Sequence, residues 1–196
     1  VGPTAVGKTQ LCVDLAQHLE TEIISADSRQ FYHEMNIGTA KPTRAEMKDV
    51  KHHFVDHLPI SSSYDVGQYE KDVLEKLQEI FSRKNRAILT GGSGLYIDAV
   101  CKGMDEMPAI PQGVRTKLND MFAEKGIDCL VDKLKQVDEP YYHQVDRKNP
   151  QRVIRALEVY EATGKPYSFF RKATPVVRPF QMINIGVESE REELYD

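Results

Sequence analysis

The chain opens on VGPTAVGKTQLCVDLA, which contains Gly2-x-x-x-x-Gly7-Lys8-Thr9 and runs straight into Leu11, Leu15 and Leu19 at helical spacing. No other feature constrains the fold as strongly. The glycines let backbone amides curl around an anion, and the lysine reaches the terminal phosphate oxygens. The threonine hydroxyl can ligate magnesium, and the helix N-terminus faces negative charge. Such a loop is fed by a strand and drained by a helix, so it commits the chain to an α/β architecture. It specifies phosphate binding without choosing between a diphosphate and a nucleoside triphosphate.

The rest of the first hundred residues keeps that rhythm. TEIISADS is a short apolar, β-rich run ending at Asp27 and Ser28, and HFVDHL is a second strand candidate. From Asp65, a suitable N-cap, Tyr69, Val73, Leu77, Ile80 and Phe81 lie on one helical face. RAILTGGSGLY is a strand entering a glycine turn and a new helix. Strand and helix alternating in this way predict a parallel sheet flanked by helices, with the Asp27 strand beside the strand of the phosphate loop.

Beyond Met104 the pattern changes. A Pro/Gly-punctuated connection leads to two helices, VRTKLNDMFAEKG and IDCLVDKLKQV, with no strand between them. NPQRVIRALEVYEATGK is then a fully punctuated helix, with Asn149 at its N-cap, Pro150 in its first turn and Gly164 past its end. FQMINIGV returns to a strand pattern. The expected fold is a phosphate-loop α/β core over 1–104 and 149–196, with a small helical lobe inserted over 105–148. A loop of this kind needs a longer feeding strand than Val1, and the charged run ESEREELYD stops within a helix pattern, so a longer parent protein is expected.

Composition excludes several classes. No apolar run approaches the ~20 residues that span a bilayer, and there is no basic-then-apolar leader. Cys12, Cys101 and Cys129 are odd in number and widely spaced, without a metal or redox pair, as in a chain kept in a reducing cytoplasm. Net charge is −4, but residues 147–178 carry eight Lys and Arg against two Asp and Glu. That stretch can hold a polyanion or can simply be a solvated face.

Few residues are placed for chemistry. Asp27, at a strand end in an open parallel sheet, would face the crevice where ligands bind. It can ligate metal, accept a proton or close an Asx turn, and residue type alone slightly favours the turn. RAILT ends in Thr90-Gly91-Gly92-Ser93, where an ATPase would carry a metal-holding carboxylate, which weakens a hydrolytic reading. Glycines at 91, 92 and 94 predict a turn packed closely against something bulky. His52, His53 and His143 have structural roles on this reading, since neighbours in a strand face opposite ways. Arg152 and Arg155, one turn apart after Gln151, can address phosphates from one helix face.

The motifs GPTAVGKT, ISADSRQFYHEMNIGTAKP, HHFVDHLP, LTGGSGLY and NPQRVIRALEVYEATGKP stand in one order across the chain. Together they resemble the bacterial tRNA dimethylallyltransferases. The resemblance implies that the loop Gly2, Pro3, Thr4, Ala5, Val6, Gly7, Lys8 and Thr9 holds the diphosphate of dimethylallyl diphosphate. It implies Mg²⁺ as cofactor, with Thr9 as its ligand. The exocyclic amine of the adenine at tRNA position 37 attacks the prenyl carbon, Asp27 accepts the amine proton, and Lys8, Thr9 and Thr4 complete the catalytic set. Contacts to the tRNA anticodon stem-loop are implied for Asp27, Ser28, Arg29, Gln30, Ser93, Arg115, Gln151, Arg152, Val153, Ile154 and Arg155, with Arg152 foremost. The basic 147–178 stretch would lie against the same stem-loop. A cytoplasmic monomer is expected. Three other readings of the residues stand beside this one: an adenylate isopentenyltransferase, a P-loop kinase of nucleosides or metabolites, and a catalytically inactive RNA-binding module.

Overall fold

The computed structural model describes residues 1–2, 6–172 and 176–189. The chain divides into two compact units, one formed by 1–104 with 175–196, the other by 105–174.

The first unit is built on a parallel sheet of three short strands, β1 (Ile23–Ser25), β2 (His52–His53) and β3 (Ile88–Thr90), in the order β2-β1-β3. Ile23 pairs with His52 on one side and Ile88 on the other. β1 is buried at every residue, as expected of a central parallel strand covered on both faces. One face is covered by α1 (Lys8–His18), the other by α3 (Val66–Phe81) and α4 (Gly94–Lys102), while α2 (Arg44–Met47) is a single capped turn. Thus the α/β class expected from the sequence is the observed one.

Details differ from expectation. The buried face of α1 is Val13 and Ala16, assisted by Cys12, and not the Leu11, Leu15 and Leu19 stripe; Leu11 is exposed. Small side chains let the helix axis approach the sheet, and the leucines flank that contact. β1 does not adjoin the strand of the phosphate loop. A strand has two edges, and those of β1 are taken by β2 and β3. The loop instead pairs with the far end of the unit. The Val1 nitrogen donates to the Ile185 carbonyl at 2.7 Å, and Val187 N–H donates to the Val1 carbonyl at 2.8 Å. One residue bracketed by bonds to i and i+2 of its neighbour is a parallel ladder in miniature. The 180–187 run therefore supplies strand-like pairing without a regular strand among the described residues.

The helix over 66–81 forms as its sequence predicts. The Asp65 side chain accepts from Gln68 N–H at 2.8 Å, and Tyr69, Val73, Leu77 and Ile80 are buried. Around Tyr69 gather Phe31, Phe54, His57, Tyr64 and Tyr96, with Phe31 stacked on Tyr69 at 5.2 Å between centroids. Burial pushes the His57 imidazole below its ordinary range, so it behaves as one more neutral ring. Lys41, nearly buried, donates to the Tyr32 carbonyl, the Asn36 side chain and Asp56, fixing the loop between β1 and α2.

The second unit is helical: α5 (Gln112–Val137), α6 (Glu139–Gln144), α7 (Pro150–Thr163) and α8 (Tyr167–Phe170). Gly126, at φ 75° and ψ −177°, breaks α5 into the two helices the sequence predicts. α7 carries the expected punctuation, with the Asn149 side chain accepting from Arg152 N–H and Gly164 in the left-handed region. It packs, however, in this unit and not in the α/β core to which 149–196 was assigned. Val153, Ile154 and Leu157 are buried with Leu118, Leu130 and Leu134 of α5. That apolar face has its complement on α5, which is reason enough for the placement.

One buried carboxylate ties the edge of the sheet. Glu22, immediately before β1, pairs with Arg83 and accepts from His53 Nε2 at 2.6 Å. Burial alone would raise this carboxyl, but hydrogen bonds from Arg83 and His53 outweigh it and bring it down to about 2. A depressed carboxyl stabilises the fold above its unfolded value, and that stability is lost as pH falls toward the folded value. We expect unfolding free energy to drop between pH ~4.5 and ~2 by on the order of 2–3 kcal/mol, reduced by screening at the half-exposed Arg83. Urea titrations at several pH values should show this dependence in the wild type and a much flatter one in Glu22→Gln.

Candidate functional site

At the phosphate loop, Gly7 is the N-cap of α1 with φ 82°, a conformation that L side chains rarely adopt. Lys8 Nζ donates to the Gly2 carbonyl at 2.9 Å, and Thr9 is exposed in the first helical turn. A Cβ on Gly2 would overlap the Val187 carbonyl, so this glycine is required by close backbone approach. Pro3, Thr4 and Ala5 lie outside the described residues. The C-terminal end of α1 is tied to the start of the sheet: Thr21 N–H donates to the Ala16 carbonyl at 2.9 Å and Thr21 Oγ1 to the Arg86 carbonyl at 2.5 Å. α1 therefore runs against the strands. Its N-terminus, with Lys8 and Thr9, points toward the edge where β1 and β3 end.

That edge is where Asp27 sits. After β1 and β3 the two chains are stitched together: Ala26 N–H donates to the Thr90 carbonyl (2.7 Å), Ser93 N–H to the Ala26 carbonyl (3.0 Å), and Ser28 N–H to Ser93 Oγ (3.0 Å). A Cβ on Gly91 would collide with the Ala26 backbone, and one on Gly92 would come within 2.9 Å of Asp27 Oδ2. What packs against the glycine turn is the β1 end itself, and Gly94 faces open space. Asp27 Oδ1 accepts from Arg29 N–H at 3.1 Å, the Asx turn its position suggested. The turn fixes one oxygen, and Gly92 leaves room for the other. Below it, the buried Tyr69 hydroxyl donates to the Ser25 carbonyl at 2.8 Å, holding the strand end from the core side.

The neighbours of Asp27 divide by use. The Arg29 side chain is exposed. Ser28 and Ser93 hydroxyls lie 3.1 Å apart and serve each other. The Gln30 amide is engaged internally, with Ser25 Oγ at 3.1 Å and the Thr39 and Ala40 carbonyls at 3.2 and 3.1 Å, so it braces the following loop.

In the second unit, Gln151, Arg152 and Arg155 reach the surface of α7, and Arg115 meets them from α5: Arg115 Nη2 donates to Gln151 Oε1 at 2.7 Å. Beneath them is Glu158, 2% exposed in its side chain, with Arg155 Nη1 at 3.3 Å and Arg115 Nε at 3.5 Å. Val153 and Ile154 must be removed from the nucleic-acid-facing set. At 0% and 1% exposed they are core residues of α7, and no side-chain atom of theirs can reach a ligand outside. Arg178 also leaves the basic stretch, since it is buried in the first unit, paired with Glu70 and donating to the Ala99 and Val100 carbonyls that end α4. Other cations stack on rings instead: Arg147 over Tyr142 at 5.0 Å, Arg171 over Tyr141 at 5.2 Å.

Sequence reasoning missed the buried Glu158 beneath this arginine face and the Tyr69 hydroxyl behind the strand end. Glu158 had a signal: it lies between Leu157 and Val159 and four residues after Ile154, on the apolar face of the helix. A carboxylate there cannot be a solvated one. No group of three or more metal-ligating side chains exists among the described residues. Thr9 nonetheless suits magnesium, which takes one or two protein oxygens and completes its shell with substrate phosphates and water. No helix of the described residues is long and apolar enough to cross a membrane.

A parallel sheet with a glycine-capped phosphate loop opening α1, and an aspartate at the strand end, defines an α/β phosphate-binding fold of the P-loop kind. Residues 30–196 match the IPP transferase family. The chain is 47% identical over its full length to a tRNA dimethylallyltransferase of Christiangramia forsetii, covering 65% of that protein. A solved tRNA isopentenylpyrophosphate transferase of Staphylococcus epidermidis is 32% identical, with TM-score 0.57 over all of this chain and 64% of the other. A eukaryotic dimethylallyltransferase acting on tRNA is 27% identical, with TM-score 0.70 over 89% of this chain and 44% of the other. The chain belongs to the IPP transferase family. It spans about 65% of the length of curated relatives it matches.

The β1–β3 stitching is testable through its glycines. Gly91→Ala should cost about 1–3 kcal/mol in urea unfolding, the usual range for overpacking. Gly94→Ala, where a Cβ meets nothing within 4 Å, should be near neutral. Equal effects at the two positions would remove close approach as the constraint.

Proposed function

We propose that the protein transfers a dimethylallyl group from dimethylallyl diphosphate to the N6 amine of the adenine at tRNA position 37, releasing diphosphate. Membership of the family supports this reading, and so do the curated relatives that carry the name tRNA dimethylallyltransferase. The observation that carries it is the placement of Asp27: one carboxylate oxygen is pinned by Arg29 N–H, while the other occupies space that only glycine at 92 leaves. An acceptor held in this way suits a reaction whose nucleophile is a weakly basic amine.

In the proposed step the adenine N6 forms a bond to C1 of the dimethylallyl group while the bond from C1 to the diphosphate oxygen breaks. The electron pair of that bond leaves with diphosphate, and the proton lost by N6 goes to Asp27. The loop from Gly2 to Thr9 holds the leaving group, with Lys8 neutralising charge as it develops. Bound magnesium, with Thr9 as its protein ligand, would add Lewis-acid stabilisation to the diphosphate. No phosphoryl group is transferred, which agrees with a β3 that ends at Thr90 and is followed by Gly91-Gly92 and not by a metal-binding aspartate. Reaching the adenine means taking it out of the anticodon-loop stack, a cost of a few kcal/mol in base-flipping enzymes. Contacts between tRNA phosphates and Arg115, Arg152 and Arg155 would help offset it.

Isotope-labelled dimethylallyl diphosphate, offered to the complete protein with unmodified tRNA, AMP and ATP, tests the assignment. Label is expected in tRNA, at adenine 37, with Asp27→Asn lowering kcat by roughly 10²–10⁴, the range for a positioned general base. Label in AMP or ATP would move the protein to the free-nucleotide prenyltransferases. Loss of γ-phosphate from ATP without prenyl transfer would make it a kinase.

A further inference from the structure

Glu158 has no role in the chemistry above, yet it is a carboxylate buried in a helix face that is otherwise Val153, Ile154, Ala156, Leu157 and Val159. Burying a charge is costly, and an apolar residue in such a place is commonly as stable or more so. Stability alone therefore does not account for a glutamate here. Its two oxygens address two different arginines: Oε2 faces Arg155 Nη1, one turn earlier on α7, and Oε1 faces Arg115 Nε, arriving from α5. Both arginines are far more exposed than their anchor, 54% for Arg115 and 40% for Arg155 against 2% for Glu158. Gln151 adds a third tie through Arg115 Nη2, and Gln151, Arg155 and Glu158 form one stripe at i, i+4 and i+7. The contacts engage Nε and Nη2 of Arg115 and Nη1 of Arg155. The ion pairs are loose at 3.3–3.5 Å, beyond the 2.7–2.9 Å of strong charge-assisted bonds, and Oε1 has no hydrogen bond among the described residues. This is an anchor that aims two forks outward; a closed ion pair would consume them.

We propose that Glu158 is a positioning residue that holds Arg115 and Arg155 side by side as a clamp for the phosphodiester backbone of tRNA. The proposal rests on the assignment of this face to tRNA binding. Two guanidiniums oriented on one carboxylate lose less rotamer freedom when they grip adjacent phosphate oxygens, which is where pre-organised arginine exceeds lysine.

The sign of one substitution separates this from plain electrostatics. Glu158→Gln makes the face more positive by one charge, so a role limited to charge predicts tighter tRNA binding. Positioning predicts weaker binding. In the complete protein, with folding verified by circular dichroism, we expect E158Q and E158D each to raise the Kd and KM for tRNA about ten-fold, the scale of one lost hydrogen bond to a charged group. The KM for dimethylallyl diphosphate should not change. In an Arg115→Met/Arg155→Met background, E158Q should add no further loss, as expected of residues acting through one another. Binding by E158Q as tight as wild type, or a loss that persists without the arginines, overturns the proposal. If E158Q does not fold, E158D decides, because it keeps the charge and withdraws its reach by one methylene. If the double arginine variant itself binds tRNA normally at several salt concentrations, the face does not meet RNA, and the assignment beneath the proposal fails with it.

Discussion

The backbone contact between Gly91 and Ala26 is the constraint on which the candidate site hangs. Two parallel strands end there, and parallel strands ordinarily diverge into their separate crossovers once the ladder stops. Here the ladder is carried one step past its last strand residues, by Ala26 N–H on the Thr90 carbonyl and Ser93 N–H on the Ala26 carbonyl. Only a residue without a Cβ can sit at 91 with the Ala26 backbone pressed on it. Close approach at that point puts Asp27 directly over Gly92, ties Ser28 to Ser93, and sets the first turn of α4. From below, Tyr69 fixes the Ser25 carbonyl at the centre of an aromatic cluster that α3 and the loop after β1 build together. Asp27 is thus immobilised by backbone on one side and by core on the other. On the proposed function, in which Asp27 accepts the proton of a weak nucleophile, this means that its orientation need not be acquired during the reaction.

Direction does the rest. Because α1 is anchored by its C-terminal end to residues just before β1 and β3, its N-terminus is carried to the edge where those strands finish. The anion-binding end of the helix and the carboxylate at the strand end come to one side of the sheet for reasons of chain direction alone. No side chain has to be selected for that. It is the general property that places ligands beyond the carboxyl ends of parallel strands. The neighbour relation anticipated from sequence, with β1 beside the strand of the phosphate loop, was unnecessary for it, and β3 holds that flank of β1 instead.

What the sequence discloses follows the range of the interaction involved. Helix caps at Asp65 and Asn149, the break at Gly126 and the amphipathic face of α3 are local, and all are legible in a few consecutive residues. Strand existence is equally legible, but strand order depends on which edges are free, and no short window records that. The leucine stripe of α1 misleads for a related reason. Periodicity finds the apolar side chains, yet contact with a sheet favours the small ones, Val13 and Ala16, and the larger ones are displaced to the flanks. The motif QRVIR reads as one binding string, whereas a helix shares its residues between two faces. Gln151, Arg152 and Arg155 fall outward while Val153 and Ile154 fall into the core. Of the 149–196 stretch read with the α/β core, 175–196 does group with 1–104, while α7 joins the helical unit because it finds its apolar partner on α5, more than fifteen residues back along the chain.

Glu22 and Glu158 show how two buried carboxylates in one chain can serve opposite ends. Glu22 is met by Arg83 and by His53, and its carboxyl is held far below its ordinary range. Its bonds join β1 to β2 and to the end of α3, so its charge is consumed by the fold. Glu158 is nearly as buried, but its partners stand at the surface and are held at distances too long for strong bonds. A carboxylate paired in that way returns little stability for its desolvation. What it supplies is direction, since each oxygen sets the heading of one guanidinium, and the two headings are fixed relative to each other by the α5–α7 packing beneath. A polyanion with regularly spaced phosphates is the kind of ligand for which a fixed separation between two forks matters more than one further unit of positive charge. Net charge attracts RNA from a distance, but it cannot set register, and on the proposed function, in which one adenine must meet Asp27, register is what binding has to supply.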